Sequence, residues 1–369
     1  MNRLDKDYQN ILGDIIDFGI KKEDRTGTGT ISLFSHQIRH DMSTGFPLLT
    51  TKKMFTKGII TELLWFLKGD TNIKYLVDNS CNIWNGDAYK AYRKIAGTYE
   101  EPDYDVHIDD PNENSIRLMT INEFTDRIKT DNKFAKNWGD LGPIYGKQWR
   151  RWGGYKYVPS SYNHGSVTHF DREPILDQIK ELIHNLKNNP DSRRLMVSAW
   201  NVGEIDKMVL PPCHWAFECY TEELSDEERI KLAGGTIQVK YPSLIIQQIK
   251  SCDERNIPKR KLSLKWHQRS VDTFLGLPFN IASYGLLLEM LAKEVNMVPS
   301  FLIGDLTNVH LYSNHIEQAK EQLSRVSFDL PRLEIHGEHI GSDISDYDID
   351  QFKFTGYESH PSIKAPLSN

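Results

Sequence analysis

The sequence has little cysteine, no apolar run of membrane-spanning length and no excess of basic residues. Its 369 residues include four cysteines, and none of them forms a C-x-x-C pair. Such sparse cysteine argues against a disulfide scaffold and favours a reducing cytoplasm. No apolar stretch approaches the roughly 18 residues that a membrane span needs, and the opening MNRLDKDYQN lacks the apolar core of a signal peptide. We therefore expect a cytoplasmic protein that is neither secreted nor membrane-spanning.

Charge and composition narrow the function classes further. The formal net charge is -6 at pH 7, whereas nucleic-acid-binding domains carry a basic excess over the binding face. No DNA binding is therefore expected. With 39% hydrophobic and 26% charged residues, the chain is long enough to bury one large core or two modest ones.

The hydrophobic pattern predicts mixed α and β structure. Apolar residues at helical spacing between Leu4 and Ile16 predict an amphipathic first helix. GIITELLWFL, residues 58–67, is apolar nearly all round and predicts a buried helix, in which the single carboxylate, Glu62, needs a reason. Strands are predicted at 195–200, 217–220, 235–241 and 262–267, and further helices after Pro174 and over 280–295.

No linker, internal repeat or low-complexity tract divides the chain. Polar stretches near 86–137 and 221–260 are predicted to be surface insertions, and the first is expected to carry little core. The sequence therefore predicts one α+β domain over residues 1–369.

The stretch LPPCHWAFECY, residues 210–220, sets a cysteine directly behind two prolines. A free cysteine is commonly a small buried hydrophobe, which is the plainer interpretation of Cys213. The two prolines, however, fix the backbone before the thiol, and His214 beside it can offer a hydrogen bond or positive charge. That arrangement is typical of a side chain presented for nucleophilic chemistry. The local pattern leaves both interpretations open.

Four other patterns have both a structural and a functional interpretation. RTGTGT, residues 25–30, is either an ordinary turn or a phosphate-binding loop. Adjacent Arg193 and Arg194 are either a solvated charge pair or ligands of an anion. Residues 266–280, WHQRSVDTFLGLPFN, carry polar groups in apolar company, which the protein or a ligand must satisfy. HLYSNH, residues 310–315, brings two histidines and a tyrosine together.

Taken together and in order, these motifs resemble those of the thymidylate synthase family. The matching stretches are RTGTGT, FPLLTTKK, ELLWFLKGDTNI, GPIYGKQWR, DSRRLMVSAWNVGEIDKM, LPPCH, QRSVDTFLGLPFNIASY, HLYSNH and HPSIKAP. The resemblance runs from residue 4 to the C-terminus and is interrupted by the two predicted insertions. It implies a large mixed β-sheet with flanking helices, one sheet face being packed in a homodimer.

The resemblance implies reductive methylation of dUMP to dTMP, with 5,10-methylenetetrahydrofolate as cosubstrate and no metal. Cys213 corresponds to the nucleophile that adds to carbon 6 of uracil and makes carbon 5 reactive. Arginine suits phosphate binding because its planar fork makes bidentate contacts and stays charged. The implied dUMP ligands are Arg25, Gln268, Arg269, Ser270, Asn280, His310 and Tyr312, with Arg193 and Arg194 reaching in from the partner subunit.

Base identity, proton transfer and folate binding are assigned by the resemblance to further positions. Asn280 can offer a donor and an acceptor to the uracil edge, whereas a carboxylate there would suit cytosine. Glu62 corresponds to the residue that organises proton transfers, and Tyr145 and His214 lie with the base and its water network. Asp272 corresponds to the pterin ligand and is counted among the catalytic residues. The folate positions are Glu62, Ile83, Trp84, Leu210, Asp272, Gly276, Phe279, Leu367 and Ser368.

Three departures from the family pattern bear on the product. Glu218 replaces the usual glutamine, a second tryptophan shortly after Trp84 is absent, and the chain ends in polar Ser368 and Asn369. A carboxylate near the core and a wetter lid would help water capture the methylene intermediate before hydride does. The alternative within the superfamily is therefore a dUMP hydroxymethylase like some phage relatives, which releases tetrahydrofolate.

A different class of function is a folate- or nucleotide-binding regulator without catalysis, or a protein that binds its own message. Cys213, Glu62, Asn280 and the arginines argue against both as the main role. Release of tritium from dUMP labelled at carbon 5 separates these hypotheses, because only a chemically competent site performs it.

Overall fold

The computed structural model describes residues 2–24, 27–97, 118–153, 156–158, 169–171, 176–236, 242–337 and 343–367. Its α-helices are α1 (Arg3–Phe18), α2 (Thr56–Leu67), α3 (Lys74–Asp78), α4 (Asn85–Ala96), α5 (Ile121–Thr130), α6 (Asn132–Trp138), α7 (Tyr145–Arg150), α8 (Gln178–Asn188), α9 (Asp226–Leu232), α10 (Pro242–Glu254), α11 (Gly276–Glu294) and α12 (Ile316–Leu323). Its strands are β1 (Ile20–Lys22), β2 (Thr30–Asp41), β3 (Lys156–Val158), β4 (His169–Asp171), β5 (Met196–Ser198), β6 (His214–Glu223), β7 (Arg260–Asp272), β8 (Val298–Tyr312), β9 (Arg332–Ile335) and β10 (Phe352–Thr355).

The chain packs into two compact units, which we call the sheet unit and the helical unit. The sheet unit comprises residues 1–54, 178–198 and 213–368, and the helical unit comprises residues 55–177 and 199–212. Both units are built from separated chain segments. The prediction of one domain with two insertions stays a prediction.

A mixed six-stranded sheet forms the sheet unit, with strand order β1-β2-β8-β7-β6-β5. Neighbouring strands are antiparallel except β7 and β8, which run parallel because the long helix α11 connects them. The predicted α+β class with a large mixed sheet and flanking helices is confirmed.

The two faces of this sheet differ because side chains alternate along each strand. Helix α1 packs on β2 and α11 packs on β7 and β8. On β6, Phe217 and Cys219 are buried while Glu218 and Tyr220 are exposed. One face therefore carries the core of the unit, and the opposite face displays side chains such as Phe34, which is 84% exposed.

The strongest sequence predictions are confirmed. The buried helix at 58–67 is α2, in which every residue from Gly58 to Leu67 is buried. The predicted helix at 280–295 lies within α11 except for its last residue, and the predicted strands at 195–200, 217–220 and 262–267 lie at β5, β6 and β7. The strand predicted at 235–241 and the helix start at Pro174 fall mainly outside the described residues.

The prediction that residues 86–137 carry little core is wrong for the part that the structure describes. Helices α4, α5 and α6 bury an aromatic cluster in the helical unit, in which Tyr92 contacts Phe124 and Trp138 at ring distances of 5.2 Å each. The sequence pattern did not predict this cluster, because a short amphipathic helix needs only a narrow apolar stripe and its other residues are polar.

The second predicted insertion contains α9 and α10 in its described residues. Arg229 of α9 is buried, and its guanidinium binds Asp253 of α10 at 2.7 Å.

None of the helices that the structure describes is both long enough and apolar enough to cross a membrane.

Candidate active site

Cys213 lies immediately before β6 and is the one of the four cysteines that is only half-buried. Its carbonyl oxygen accepts a hydrogen bond from the Arg269 backbone N–H at 2.8 Å, so the Cys213 backbone lies beside β7. Burial raises the pKa of Cys81 and of Cys219 to about 12, which keeps those thiols protonated and unreactive. The geometry therefore favours Cys213 as the accessible nucleophile.

His214 is buried and supplies a hydrogen bond rather than a charge. Burial lowers the pKa of His214 to about 3, so the ring is neutral at physiological pH. Its Nδ1 lies 2.9 Å from the Tyr284 hydroxyl on α11. The suggestion that His214 offers positive charge to the thiol is therefore wrong, because burial keeps the ring neutral. The contact with Tyr284 lies 70 positions away in sequence and was not readable from the local motif.

Asn280, at the start of α11, is held through Gln268 of β7. Gln268 is 2% exposed, and its Nε2 donates to the Asn280 Oδ1 at 3.0 Å and to the Ser270 carbonyl at 3.1 Å. The polar groups of 266–280 are thus partly satisfied by one another. This internal pairing leaves the half-buried Asn280 amide with donor capacity for a ligand.

Asp272 and His310 are neighbours at the ends of the parallel strands β7 and β8. The Asp272 Oδ1 accepts the N–H groups of Phe274 and Leu275, both at 3.1 Å, and so shapes the turn into α11. Burial lowers the pKa of His310, so its ring is a neutral hydrogen-bonding group. The Tyr312 ring packs edge-on against it at 5.4 Å.

Lys52 is a buried lysine near the predicted site residue Asp272 that the sequence pattern did not single out. Its ammonium is buried, donates to the Phe274 carbonyl and lies 4.0 Å from the centre of the Phe274 ring. Burial lowers its pKa to about 7, and the negative charge of Asp272 opposes that shift. The motif FPLLTTKK contains two lysines, but only burial distinguishes Lys52 from exposed Lys53.

The described part of the RTGTGT loop lies against the HLYSNH motif. The Gly29 carbonyl accepts the Ser313 N–H at 3.0 Å, and Thr30 pairs with Tyr312. Gly27 and Gly29 have φ of 74° and 77°, a backbone region that favours glycine. The first residue of the motif, Arg25, lies outside the described residues.

Arg193 and Arg194 precede β5 and are both exposed. Within the described part of the chain, neither guanidinium forms an ion pair. The carbonyl of the next residue, Leu195, accepts the Cys219 N–H at 2.7 Å. Cys219 is six residues along β6 from Cys213, a span of about 20 Å at the usual strand rise. These arginines therefore lie far from Cys213 of their own subunit.

Glu62, Trp84 and Tyr145 meet inside the helical unit. The Trp84 Nε1 donates to the Glu62 Oε1 at 2.7 Å, and the Trp84 ring packs against Tyr145 at 5.9 Å. Burial raises the pKa of Glu62 to about 7, while the Trp84 hydrogen bond opposes the shift. Both protonation states of the carboxyl are therefore accessible near neutral pH, so it can accept and release a proton.

The remaining predicted folate positions are distributed over both units. In the helical unit, Ile83 is 40% exposed and Leu210 is half-buried. In the sheet unit, Gly276 and Phe279 begin α11, and Leu367 is 68% exposed. Ser368 and Asn369 lie outside the described residues.

The carboxylate of Glu218 lies on the exposed face of the sheet, not in the core. Its Oε1 is 3.1 Å from His267 Nε2 and 3.5 Å from Lys265 Nζ. His267 Nδ1 is in turn 3.2 Å from Asp305 Oδ2. The expectation of a carboxylate near the core is therefore wrong. The position of Glu218 gives no reason to expect water at the reacting carbon.

The described residues contain no group of three or more His, Cys, Asp or Glu side chains placed to hold a metal ion.

Comparison with known proteins decides the family. The thymidylate synthase family profile matches residues 6–369. The chain belongs to the thymidylate synthase family. A thymidylate synthase of Mycoplasma mobile is 41% identical over 361 residues, covering 98% of this chain and 99% of the relative. One of Staphylococcus haemolyticus is 41% identical over 379 residues, covering 100% of this chain and 99% of the relative.

These near-complete overlaps extend the family relationship across both units. A thymidylate synthase of Mesoplasma florum is 40% identical over 363 residues, covering 98% of this chain and 99% of the relative. The sequence-based identification of the thymidylate synthase family is confirmed.

Proposed function

We propose that this protein reductively methylates dUMP to dTMP, with 5,10-methylenetetrahydrofolate as the one-carbon and hydride donor. The single observation that carries the proposal is the half-buried Cys213, whose backbone is hydrogen-bonded to that of Arg269, in a chain that matches the thymidylate synthase family over residues 6–369. The likeness to relatives named thymidylate synthase covers nearly the whole chain and supports the same activity.

Cys213 is the proposed covalent catalyst. Its thiolate adds to carbon 6 of uracil, and the resulting enolate attacks the methylene of the folate from carbon 5. The proton on carbon 5 then leaves to a base, and the bond between the methylene carbon and the folate nitrogen breaks. This eliminates tetrahydrofolate and leaves an exocyclic methylene on the nucleotide, which is still bound to Cys213 through carbon 6. Hydride from tetrahydrofolate then reduces that methylene to the methyl group, the Cys213 thiolate is expelled from carbon 6, and dihydrofolate is left.

The phosphate and sugar of dUMP are proposed to bind at the carboxyl ends of β7 and β8. Arg25, Arg269 and Ser270 would hold the phosphate, while His310 and Tyr312 would hold the ribose hydroxyl. The neutral state of His310 suits this role, because a neutral ring offers both a donor and an acceptor nitrogen.

Glu62 is proposed to move protons to and from the base. A pKa of about 7 makes the carboxyl an efficient exchanger at neutral pH, because neither protonation state is scarce. Tyr145 and the neutral His214 would hold the water network around the base. These roles need hydrogen-bonding groups and no additional fixed charge.

Folate binding is proposed to involve Asp272 as the pterin ligand. The carboxylate already orders the turn into α11, so its position is fixed by two backbone N–H groups before a ligand arrives. Lys52, buried beside the same turn, would compensate the charge of Asp272. The apolar positions proposed to line the folate are Ile83, Trp84, Leu210, Gly276, Phe279 and Leu367.

The active form is proposed to be a homodimer that pairs the exposed sheet faces. Phe34, Met196 and Tyr220 are 84%, 53% and 66% exposed on strands of that sheet, and apolar surface of this kind favours association. A two-fold axis would also let Arg193 and Arg194 of one subunit reach the phosphate site of the other. A reducing cytoplasm is the proposed setting.

Replacing Asn280 with aspartate is expected to move substrate preference from dUMP towards dCMP. The carboxylate loses the donor that the uracil carbonyl needs and gains acceptor capacity for the cytosine amino group. We expect the kcat/KM ratio of dUMP to dCMP to fall by about 100-fold or more, since unpaired buried polar groups discriminate strongly. Competition kinetics with both nucleotides measures it, and an unchanged ratio would mean that Asn280 does not contact the base.

Tritium release from dUMP labelled at carbon 5 tests catalytic competence. The proposed chemistry requires loss of that hydrogen in every turnover, so tritium should appear in water in step with nucleotide product. Binding of dUMP and folate without tritium release would instead favour a regulatory protein that retains the family fold.

Formation of 5-hydroxymethyl-dUMP is the second candidate reaction within the superfamily. One of the three sequence features that favoured it was a carboxylate near the core at Glu218, and the position of that side chain on the exposed sheet face argues against this reason. The full-length likeness to thymidylate synthases favours the methyl product.

A further inference from the structure

Trp266 lies on β7 two residues before Gln268 and has no exposed surface. Its indole Nε1 donates to the Gln268 Oε1 at 3.1 Å. Its ring stacks on Tyr284 of α11 with an interplanar angle of 6° and a centroid distance of 5.4 Å.

The indole and a backbone carbonyl together hold the Gln268 amide in one orientation. An indole N–H can only donate, so it selects the Gln268 oxygen. The Ser270 carbonyl can only accept, so it selects the Gln268 nitrogen at 3.1 Å. With both ends held, the Gln268 Nε2 is directed to the Asn280 Oδ1 at 3.0 Å.

The orientation of Asn280 follows from that of Gln268. Because the Asn280 Oδ1 accepts from Gln268, the nitrogen of the same amide is the end left to donate. Uracil presents a carbonyl acceptor where cytosine presents an amino donor. We propose that Trp266 is a positioning residue that sets the preference for uracil over cytosine by fixing, through Gln268, the orientation of the Asn280 amide. The proposal rests on the proposed function and goes beyond it.

Trp266 also contacts Tyr284, whose hydroxyl is hydrogen-bonded to His214, the residue that follows Cys213. The Tyr284 ring lies flat on the indole, and its hydroxyl is 2.9 Å from His214 Nδ1. The space for the indole comes from Gly304 on β8, where an added Cβ would lie 2.4 Å from the Trp266 ring. The position of the indole is therefore defined on both sides, as precise alignment of an amide requires.

The test is Trp266→Phe, which keeps an aromatic ring against Tyr284 but removes the N–H donor. We expect the kcat/KM ratio of dUMP to dCMP to fall about tenfold, as for loss of one buried hydrogen-bond partner. The matched control is Trp138→Phe in α6, whose indole packs against Tyr92. Among the described residues that indole has no hydrogen bond, so the ratio should not change.

Gly304→Ala provides a second variant in which the indole N–H is retained but displaced. We expect a similar fall in the kcat/KM ratio of dUMP to dCMP. Dissociation constants for the two nucleotides report base recognition, and thermal unfolding of the same variant reports stability. This variant carries the test if Trp266→Phe does not fold.

The outcomes distinguish this proposal from the proposed function. A wild-type enzyme that converts dUMP, together with folded variants that keep the wild-type ratio within twofold, would overturn the role of Trp266 alone. A wild-type protein that converts neither nucleotide would overturn the proposed function and this proposal with it.

Discussion

Replacing Cys213 with alanine should abolish turnover while leaving dUMP binding nearly unchanged. The thiolate forms the covalent bond to carbon 6, and the other three cysteines are buried. Burial also raises the pKa of Cys81 and Cys219 to about 12. Loss of a covalent nucleophile costs more than about 10⁴-fold in kcat. The proposed phosphate and base ligands are other residues, so the dissociation constant of dUMP should change by only a few fold.

Three measurements separate chemistry from folding in this variant. Absorbance of dihydrofolate follows turnover, calorimetry follows dUMP binding, and thermal unfolding follows stability. The control is Cys252→Ala, which removes a buried thiol that contacts the Arg229 carbonyl at 3.6 Å and should keep the wild-type kcat. A Cys213→Ala enzyme that retained one per cent of the wild-type rate would require a different nucleophile.

The second large effect is expected from the paired arginines. Changing Arg193 and Arg194 to alanine should lower kcat/KM for dUMP by about 10² to 10⁴-fold, because each lost hydrogen bond to a charged group is worth about 1.5–3 kcal/mol. Both side chains are exposed in the subunit, so the free energy of unfolding should change little. Steady-state kinetics over a range of dUMP concentrations measures the effect.

A mixed dimer tests whether these arginines act across the interface. One subunit carries Cys213→Ala and the other carries Arg193→Ala and Arg194→Ala, and the heterodimer is purified through two different tags. If the arginines serve the partner's site, one of the two sites is complete and about half of the wild-type activity returns. If they serve their own subunit, neither site is complete and activity stays at the level of the two inactive homodimers.

The helices and strands that carry the proposed site were largely predictable from sequence. α2 and α11 are apolar nearly all round, a pattern that is typical of buried helices. β6 and β7 alternate apolar and polar residues, which predicts strands. The buried carboxyl of Glu62 was recognisable because a lone charge in an apolar helix needs a partner. That partner, the indole of Trp84, lies 22 positions away and was not readable from the pattern.

The features that escaped prediction depend on contacts between distant segments. The neutral state of His214 results from its burial beside Tyr284. The position of Glu218 results from the pleat of β6, which places it opposite Lys265. Burial of Lys52 rather than Lys53 depends on the turn at Phe274. Local sequence specifies which groups are present, whereas desolvation and pairing are properties of the assembled sheet.

Product identity is the most direct test of the proposed reaction. Purified enzyme is incubated with dUMP and 5,10-methylenetetrahydrofolate, the nucleotide is identified by mass spectrometry, and dihydrofolate is followed by its absorbance. The proposed reaction gives dTMP and dihydrofolate in equal amounts. Formation of 5-hydroxymethyl-dUMP with release of tetrahydrofolate would contradict it and would assign the same fold and the same Cys213 to a hydroxymethylase.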